Sequence, residues 1–308
     1  MKVTILVLTH QQPALLEQFV RLFPGPDFNF IVYVDKGVQI RPFYARLSKF
    51  SNVTFVKERR PVFWCGHSTL RAIMLLLEYW EQARERGDWI FFVSGTCFPL
   101  MDPKRFVNAL DAVGDNQLVS VEGNTANVPE KHGFLTRWHF HDNYILSRWT
   151  QPKHLLLRAS RSVAAKTARL ISSNLPERRF DHLLFGSSWW GINRDAAEFV
   201  LQYTTNEPAL FIKLKYSIAP EEFYFQNVLS GGGYKIHQGR LPCSGAMTER
   251  KVYGSHFIDW GNGGRDSPLT LYEKDFTELI GSGAFFARKI SEEFSRGLIE
   301  RLVRHISL

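Results

Sequence analysis

Val3-Thr4-Ile5-Leu6-Val7-Leu8, running into Thr9-His10, is the stretch on which the fold turns. It is mostly apolar, rich in β-branched side chains, and lacks polar/apolar alternation. Such a run suits a strand buried on both faces of a parallel sheet; a half-exposed antiparallel strand would alternate. Its apolar part is too short for a signal peptide or a bilayer span. Pro13 opens a helix through Leu15, Leu16, Phe19, Val20 and Leu22, and Phe28 to Val34 forms a second strand ending at Asp35-Lys36-Gly37. Asn52 to Val56 is a third strand. Strand, helix and strand, with polar residues at the strand ends, begin a nucleotide-binding α/β sheet. No GxGxxG or GxxxxGK[ST] follows any strand, so neither a dinucleotide fold nor a P-loop is supported.

Downstream, Ser68 is a plausible N-cap for a helix from about Leu70 to Arg86, and Trp89 to Val93 is a fourth strand. That strand runs into Ser94-Gly95-Thr96-Cys97-Phe98-Pro99-Leu100, a tight loop at a strand's carboxyl end, where open α/β sheets keep their ligands. Leu118 to Val121 reads as a fifth strand, and Phe185 to Asn193 as a turn and a strand. Asp195 to Tyr203 is helical, Tyr234 to His237 a strand, and the chain ends in a basic amphipathic helix. There is no internal repeat, low-complexity segment or linker. A single domain over residues 1–308 is the simplest division, with a first half over about 1–125 and a second over about 126–308.

Composition narrows the function. With 44% hydrophobic residues, 25 Phe and 8 Trp the chain can build a large core, and disorder is excluded. The net charge of +8 points to an anionic partner. Between Arg148 and Arg179 there are eight basic residues and one acid, Glu177, interleaved with Leu155, Leu156, Leu157, Val163 and Leu170. This is either a solvated helix face or a surface that meets anionic lipid. No aromatic ladder runs through the basic residues, so nucleic acid is not an expected partner. Cys65, Cys97 and Cys243 form no CxxC pair, which signals neither a zinc site nor a disulfide framework. His139-Phe140-His141-Asp142 has the look of metal ligands, but an ordinary polar strand is the better account of an isolated HxH.

Pro220-Glu221-Glu222-Phe223 is the start of a helix, with Pro at its first position and two acids in its first turn. Such a helix can aim one carboxylate into a cleft as a general base. Adjacent helical positions point about 100° apart, so one acid faces the cleft and the other is left to the helix dipole or solvent.

Taken together, the motifs resemble the core-2/I-branching glycosyltransferase family, which includes the peptide O-xylosyltransferases. The matching segments occur in order over nearly the whole chain: Leu8-Thr9-His10, Val32-Tyr33-Val34-Asp35-Lys36, Trp64-Cys65-Gly66-His67-Ser68 and Ser94 to Leu100. They continue with Gly186-Ser187-Ser188-Trp189-Trp190, Ala219-Pro220-Glu221-Glu222-Phe223, Phe257-Ile258-Asp259-Trp260, and Ser267-Pro268-Leu269-Thr270 leading to Phe286-Ala287-Arg288-Lys289.

The resemblance implies an α/β GT-A-type fold, a central, mostly parallel sheet flanked by helices. It also implies an inverting transfer of GlcNAc or xylose from a UDP-sugar without a divalent metal or other cofactor. Glu222 takes the place of the catalytic base and Lys289 that of the diphosphate-binding lysine. The absence of any Asp-x-Asp from the sequence agrees with metal independence. Fixed cations must then stabilise the departing diphosphate, and Lys289, Arg288 and Arg265 are the candidates. Relatives carry Arg where His256 stands, so His256 when protonated, Arg250 or Lys251 are alternatives for the second phosphate ligand. His10 and Asp35 are placed at strand ends to contact the nucleotide, unless Asp35 is merely a strand-end cap. Arg137, Trp138, Trp189, Trp190 and Trp260 are candidates for the acceptor, with core packing the competing role for the tryptophans. The expected partners are a UDP-sugar, an oligosaccharide or lipid-linked glycan acceptor and, peripherally, anionic membrane. The missing anchor and sparse cysteines resemble a bacterial, cytosolic relative. A non-catalytic glycan- or lipid-binding protein on the same fold is the alternative.

Overall fold

The computed structural model describes residues 1–142, 155–236, 251–261 and 267–307. Strands β1 (Val3–Thr9), β2 (Phe28–Val34), β3 (Val53–Phe55) and β4 (Trp89–Ser94) are parallel and lie in the order β3-β2-β1-β4. Helices α1 (Pro13–Leu22), α2 (Arg41–Leu47) and α3 (His67–Glu81) make the crossovers. The expected double burial holds residue by residue. Val3, Ile5 and Val7 of β1 enter one core cluster and Leu6 the other; Phe91 and Val93 of β4 enter the first, and Ile90 and Phe92 the second. A period of two with both phases apolar is what two covered faces require.

The chain continues through β5 (Phe98–Pro99), α4 (Pro103–Val113), β6 (Leu118–Val119), β7 (Gly123–Asn124) and α5 (Pro129–Thr136). Then come α6 (Leu155–Asn174), β8 (Leu184–Phe185), β9 (Trp190–Asn193), α7 (Arg194–Asn206), α8 (Ala209–Lys213) and α9 (Glu221–Gly231). The last elements are β10 (Val252–Tyr253), β11 (His256–Ile258), α10 (Phe276–Gly281), β12 (Phe286–Arg288) and α11 (Arg296–Ile306). β9 joins β4 antiparallel and β6 follows it, which completes a six-stranded sheet. A second sheet of order β10-β11-β12-β5 brings the C-terminal third back to the loop after β4. The result is a mixed α/β fold with a central, mostly parallel sheet between helical layers, as expected.

The Phe excess is spent mainly on packing. Phe19, Phe23, Phe28, Phe30, Phe91, Phe106, Phe285 and Phe286 are all buried in the first cluster. They meet edge to face, with Phe23 and Phe28 centroids 4.8 Å apart and Phe106 and Phe285 4.7 Å apart. The apolar stripe of α11, Leu298, Ile299, Leu302 and Ile306, closes that layer.

Three local expectations change. Helix α3 begins at His67 rather than near Leu70. Ser68 does not cap it through its side chain; instead its N–H donates to the Asp142 carboxylate at 3.0 Å. Pro220 precedes the first residue of α9, although its own dihedrals are helical and its carbonyl accepts from Tyr224 N–H. Tyr234 to Ile236 is not a strand. Only Ile236 bridges to Gln117, and His237 lies outside the described residues.

Candidate active site

The motifs scattered along the sequence meet at the carboxyl ends of the parallel strands. His10 follows β1, Asp35 follows β2, and the Ser94–Leu100 loop follows β4. Backbone bonds lock these ends to the C-terminal sheet: Ile290 N–H donates to Thr96 O, Leu271 N–H to Lys289 O, and Lys289 N–H to Leu269 O. Gly95 sits so close to Thr9 that a Cβ there would lie 2.1 Å from Thr9 Oγ1. On the other side, Ala219 N–H donates to Cys65 O, and both residues are held at positive φ, +47° and +61°. The turn before α9 is thereby pinned to the turn before α3.

Glu222 is the acid that faces the cleft. Its side chain is about a quarter exposed, and Oε2 accepts from Lys131 Nζ of α5 at 3.2 Å. Burial raises its pKa, while the charges of Lys131 and Arg288 act in the opposite sense. Glu221 does not turn to solvent; it bonds back to its own backbone at the helix start. It is 6% exposed, its Oε2 has no hydrogen-bond partner, and burial together with the Glu222 charge pushes it up to about 8. Desolvation outweighs the favourable helix N-terminus here.

Opposite Glu222 stands Arg288. Its guanidinium lies 4.0 Å over the Trp189 ring, its Nε is buried without a partner, and the Glu222 charge acts on it. A desolvated guanidinium with an unmet donor is a ready anion site. Lys289, next along the chain, donates to Ser267 Oγ at 2.5 Å, and burial followed by the Arg288 charge brings it down to about 8. His10 comes next, with its pKa lowered by burial and by Lys289 and raised by Asp35. The Asp35 and Lys289 charges act on His10, the Arg288 charge on Lys289, the Glu222 charge on Arg288 and the Lys131 charge on Glu222, so these side chains are neighbours around one site.

Asp35 also does the work of a cap: its Oδ1 accepts from Gly37 N–H at 2.8 Å and Val62 N–H at 3.2 Å. The strand-end cap is therefore present, and it engages Oδ1 alone of the two carboxylate oxygens in these bonds.

Several sequence candidates fall elsewhere. Trp190 is fully buried on Phe92 and Phe225, so it cannot stack on a sugar. Trp189 is stacked on Phe92 at 5.2 Å and carries Arg288, which makes it a platform beneath the cation. Trp260 is exposed. His256 is fully buried beside Trp189 and Phe286, bonded through Nδ1 to Ser255 Oγ. Burial and the Arg288 charge hold its pKa well below the usual histidine value, so it is not a cation for phosphate. Lys251 is engaged by Asp259 at 2.9 Å and Glu278 at 3.0 Å. Arg265 and Arg250 lie outside the described residues. Arg137 is exposed at the end of α5, and Trp138 donates through Nε1 to Pro176 O and packs against Arg178. Neither is tied to Glu222 by a described bond.

His139 and His141 stack at 5.7 Å, and Asp142 is committed to Ser68, so the HxH is structural. Among the described residues no group of three His, Cys, Asp or Glu is arranged to hold a metal ion.

Sequence reading missed Lys131 and Glu122. Glu122 is raised to about 6 by burial and by the Glu222 charge. The two residues reach Glu222 from 91 and 100 positions away in the chain, and nothing local marks either one.

A carboxylate near buried and half-buried cations, beside the carboxyl ends of parallel strands, is an arrangement that group transfer can use. The model of the Core-2/I-Branching enzyme family matches residues 4–278, and the chain belongs to that family of glycosyltransferases. None of the curated protein sequences matches it significantly.

Solved structures give distant likenesses. Mouse xyloside xylosyltransferase 1 is 9% identical over 77% of this chain and 84% of that one, with a TM-score of 0.37. The bifunctional glycosyltransferase WbbM is 11% identical over 99% of this chain and 50% of that one, at 0.41. A 4-diphosphocytidyl-2C-methyl-D-erythritol synthase from Anaerococcus prevotii is 9% identical over 78% and 88%, at 0.35.

Proposed function

We propose that this glycosyltransferase inverts the anomeric centre and moves a sugar from a UDP-sugar to a hydroxyl of a glycan acceptor without a divalent metal, with Glu222 as general base. The observation that carries the reading is the placement of Glu222 against Arg288, with Lys289 and His10 continuing toward Asp35. In the proposed step the acceptor oxygen attacks the anomeric carbon opposite the diphosphate. Its proton passes to the Glu222 carboxylate, the carbon–oxygen bond to the diphosphate breaks, and the electron pair leaves with the phosphate oxygen. Arg288 and Lys289 stabilise that developing charge, the task a metal ion performs where one is used. His10 and Asp35 hold the nucleotide end. Lys131, bonded to Glu222, favours the ionised base against the burial that opposes it, and the exposed Trp260 offers a ring for a sugar face.

The test is a Glu222→Gln variant assayed with and without EDTA. Proton abstraction by a positioned side chain contributes roughly 10²–10⁴-fold, so transfer should fall by that factor while UDP binding stays near normal. Wild-type turnover should survive EDTA. Full activity in Glu222→Gln removes the base, and activity lost to EDTA and restored by Mn²⁺ removes metal independence. UDP binding by the wild type with no turnover on any acceptor points instead to a binding protein on this fold.

A further inference from the structure

Over residues 163–174, helix α6 turns its large apolar side chains outward. Val163 is 65% exposed, Leu170 65% and Ile171 48%. With Thr167 they follow the i, i+4, i+7, i+8 spacing of one helical face. The half-buried positions over the same stretch are small, Ala164, Ala165, Ala168 and Ser172, and Ser172 Oγ donates to Trp138 O at 2.8 Å. So the large apolar side chains of this stretch face water while the small ones face inward.

Cations flank the stripe. Lys166 and Arg169 are exposed, the helix contains no acid, and it also carries Arg158 and Arg161. Beyond its end come exposed Leu175 and Arg179, and Lys213 of α8 lies 4.6 Å over the Phe180 ring beside exposed Ile212. Among the described residues no helix is long and apolar enough to cross a membrane. An apolar face rimmed by Lys and Arg, on a helix without acids, is the pattern that lies flat in the headgroup region of an anionic bilayer.

We propose that α6 docks this protein on an anionic phospholipid surface, with Val163, Leu170 and Ile171 entering the acyl boundary and Lys166 and Arg169 meeting the headgroups. Charge complementarity selects this occupant: the chain carries +8 overall, so a second copy of the same basic face would be repelled. The helix end is also bonded to the approach to α9, since Arg178 donates to Ser217 Oγ at 3.2 Å and to Leu135 O at 3.0 Å.

The experiment is co-sedimentation of the full chain with vesicles of phosphatidylcholine alone and of phosphatidylcholine mixed with phosphatidylglycerol. It is repeated for Lys166→Ala/Arg169→Ala and for Val163→Ser/Leu170→Ser/Ile171→Ser, with thermal midpoint and UDP binding as controls for folding. The wild type should pellet with the anionic vesicles only. Losing two cations near the surface should lower partitioning about 25-fold, and the serine variant should lose it too. Equal binding to neutral vesicles, no binding to anionic ones, or variants that bind like the wild type would overturn the proposal. So would an oligomer in the absence of lipid that the serine variant converts to monomers.

Discussion

Lys289 and Glu221 are side chains at the site whose ionisation burial bends strongly. Lys289 is brought down to about 8 by burial and by the Arg288 charge. A lysine that must be charged to hold a diphosphate then loses its proton as pH rises through that value. UDP binding and kcat/KM should fall on an alkaline limb near 8, and Lys289→Ala should weaken UDP binding below that pH, with the difference from wild type shrinking above it. Lys289→Arg keeps its charge far beyond that range, so its alkaline limb should disappear; a limb that stays in place assigns the titration to another group. Glu221 runs the other way, from 4.5 to about 8. Folding then favours its protonated form. The chain suffers no penalty from this group below the unfolded value, and the penalty grows as pH rises from about 4.5 to 8. Glu221→Gln should accordingly match the wild type in denaturant midpoint near pH 4 and exceed it by a few kcal/mol near pH 9. No gain at high pH would mean that the buried carboxyl finds a partner when ionised.

At the scale of elements, the start of α9 is held by a close backbone approach. Gly186 N–H donates to Glu222 O at 2.9 Å, and a Cβ on Gly186 would lie 1.9 Å from Ser120 O. That contact is backbone and cannot rotate away. Gly186→Ala should cost about 1–3 kcal/mol, the usual range for a forced fit in a packed site, measured as a lower denaturant midpoint. It should also reduce turnover by displacing Glu222. A variant with unchanged stability would show that Ser120 and Val121 yield freely. The same crowding accounts for a motif that sequence alone makes hard to interpret: in Gly186-Ser187-Ser188-Trp189-Trp190, the glycine brings two segments together, Trp189 supports Arg288, and Trp190 is core. Nothing in the spelling of the motif distinguishes those three jobs.

At the scale of the whole molecule, both core clusters are built on the same strands, β1, β2 and β4, one on each face. Neither face can lose its helices without exposing the sheet that the other needs. Unfolding should therefore be a single transition, with far-UV circular dichroism coinciding with fluorescence from Trp80 and Trp190, which are fully buried in the second cluster. Separate midpoints would divide the chain into two folding units. The sequence by itself determined the parallel sheet, because a doubly buried strand such as Val3–Leu8 is apolar in both phases and local periodicity records that. It also determined the order of the family's motifs and singled out Pro220-Glu221-Glu222. Only the tertiary structure decided that Glu221 is buried while Glu222 meets Lys131, that the Glu222 charge acts on Glu122, that Trp190 and His256 are interior, and that α6 turns its apolar stripe outward. Each of those depends on which segments, a hundred or more residues apart in places, exclude water from one another. That is a property of packing, and local pattern carries no trace of it.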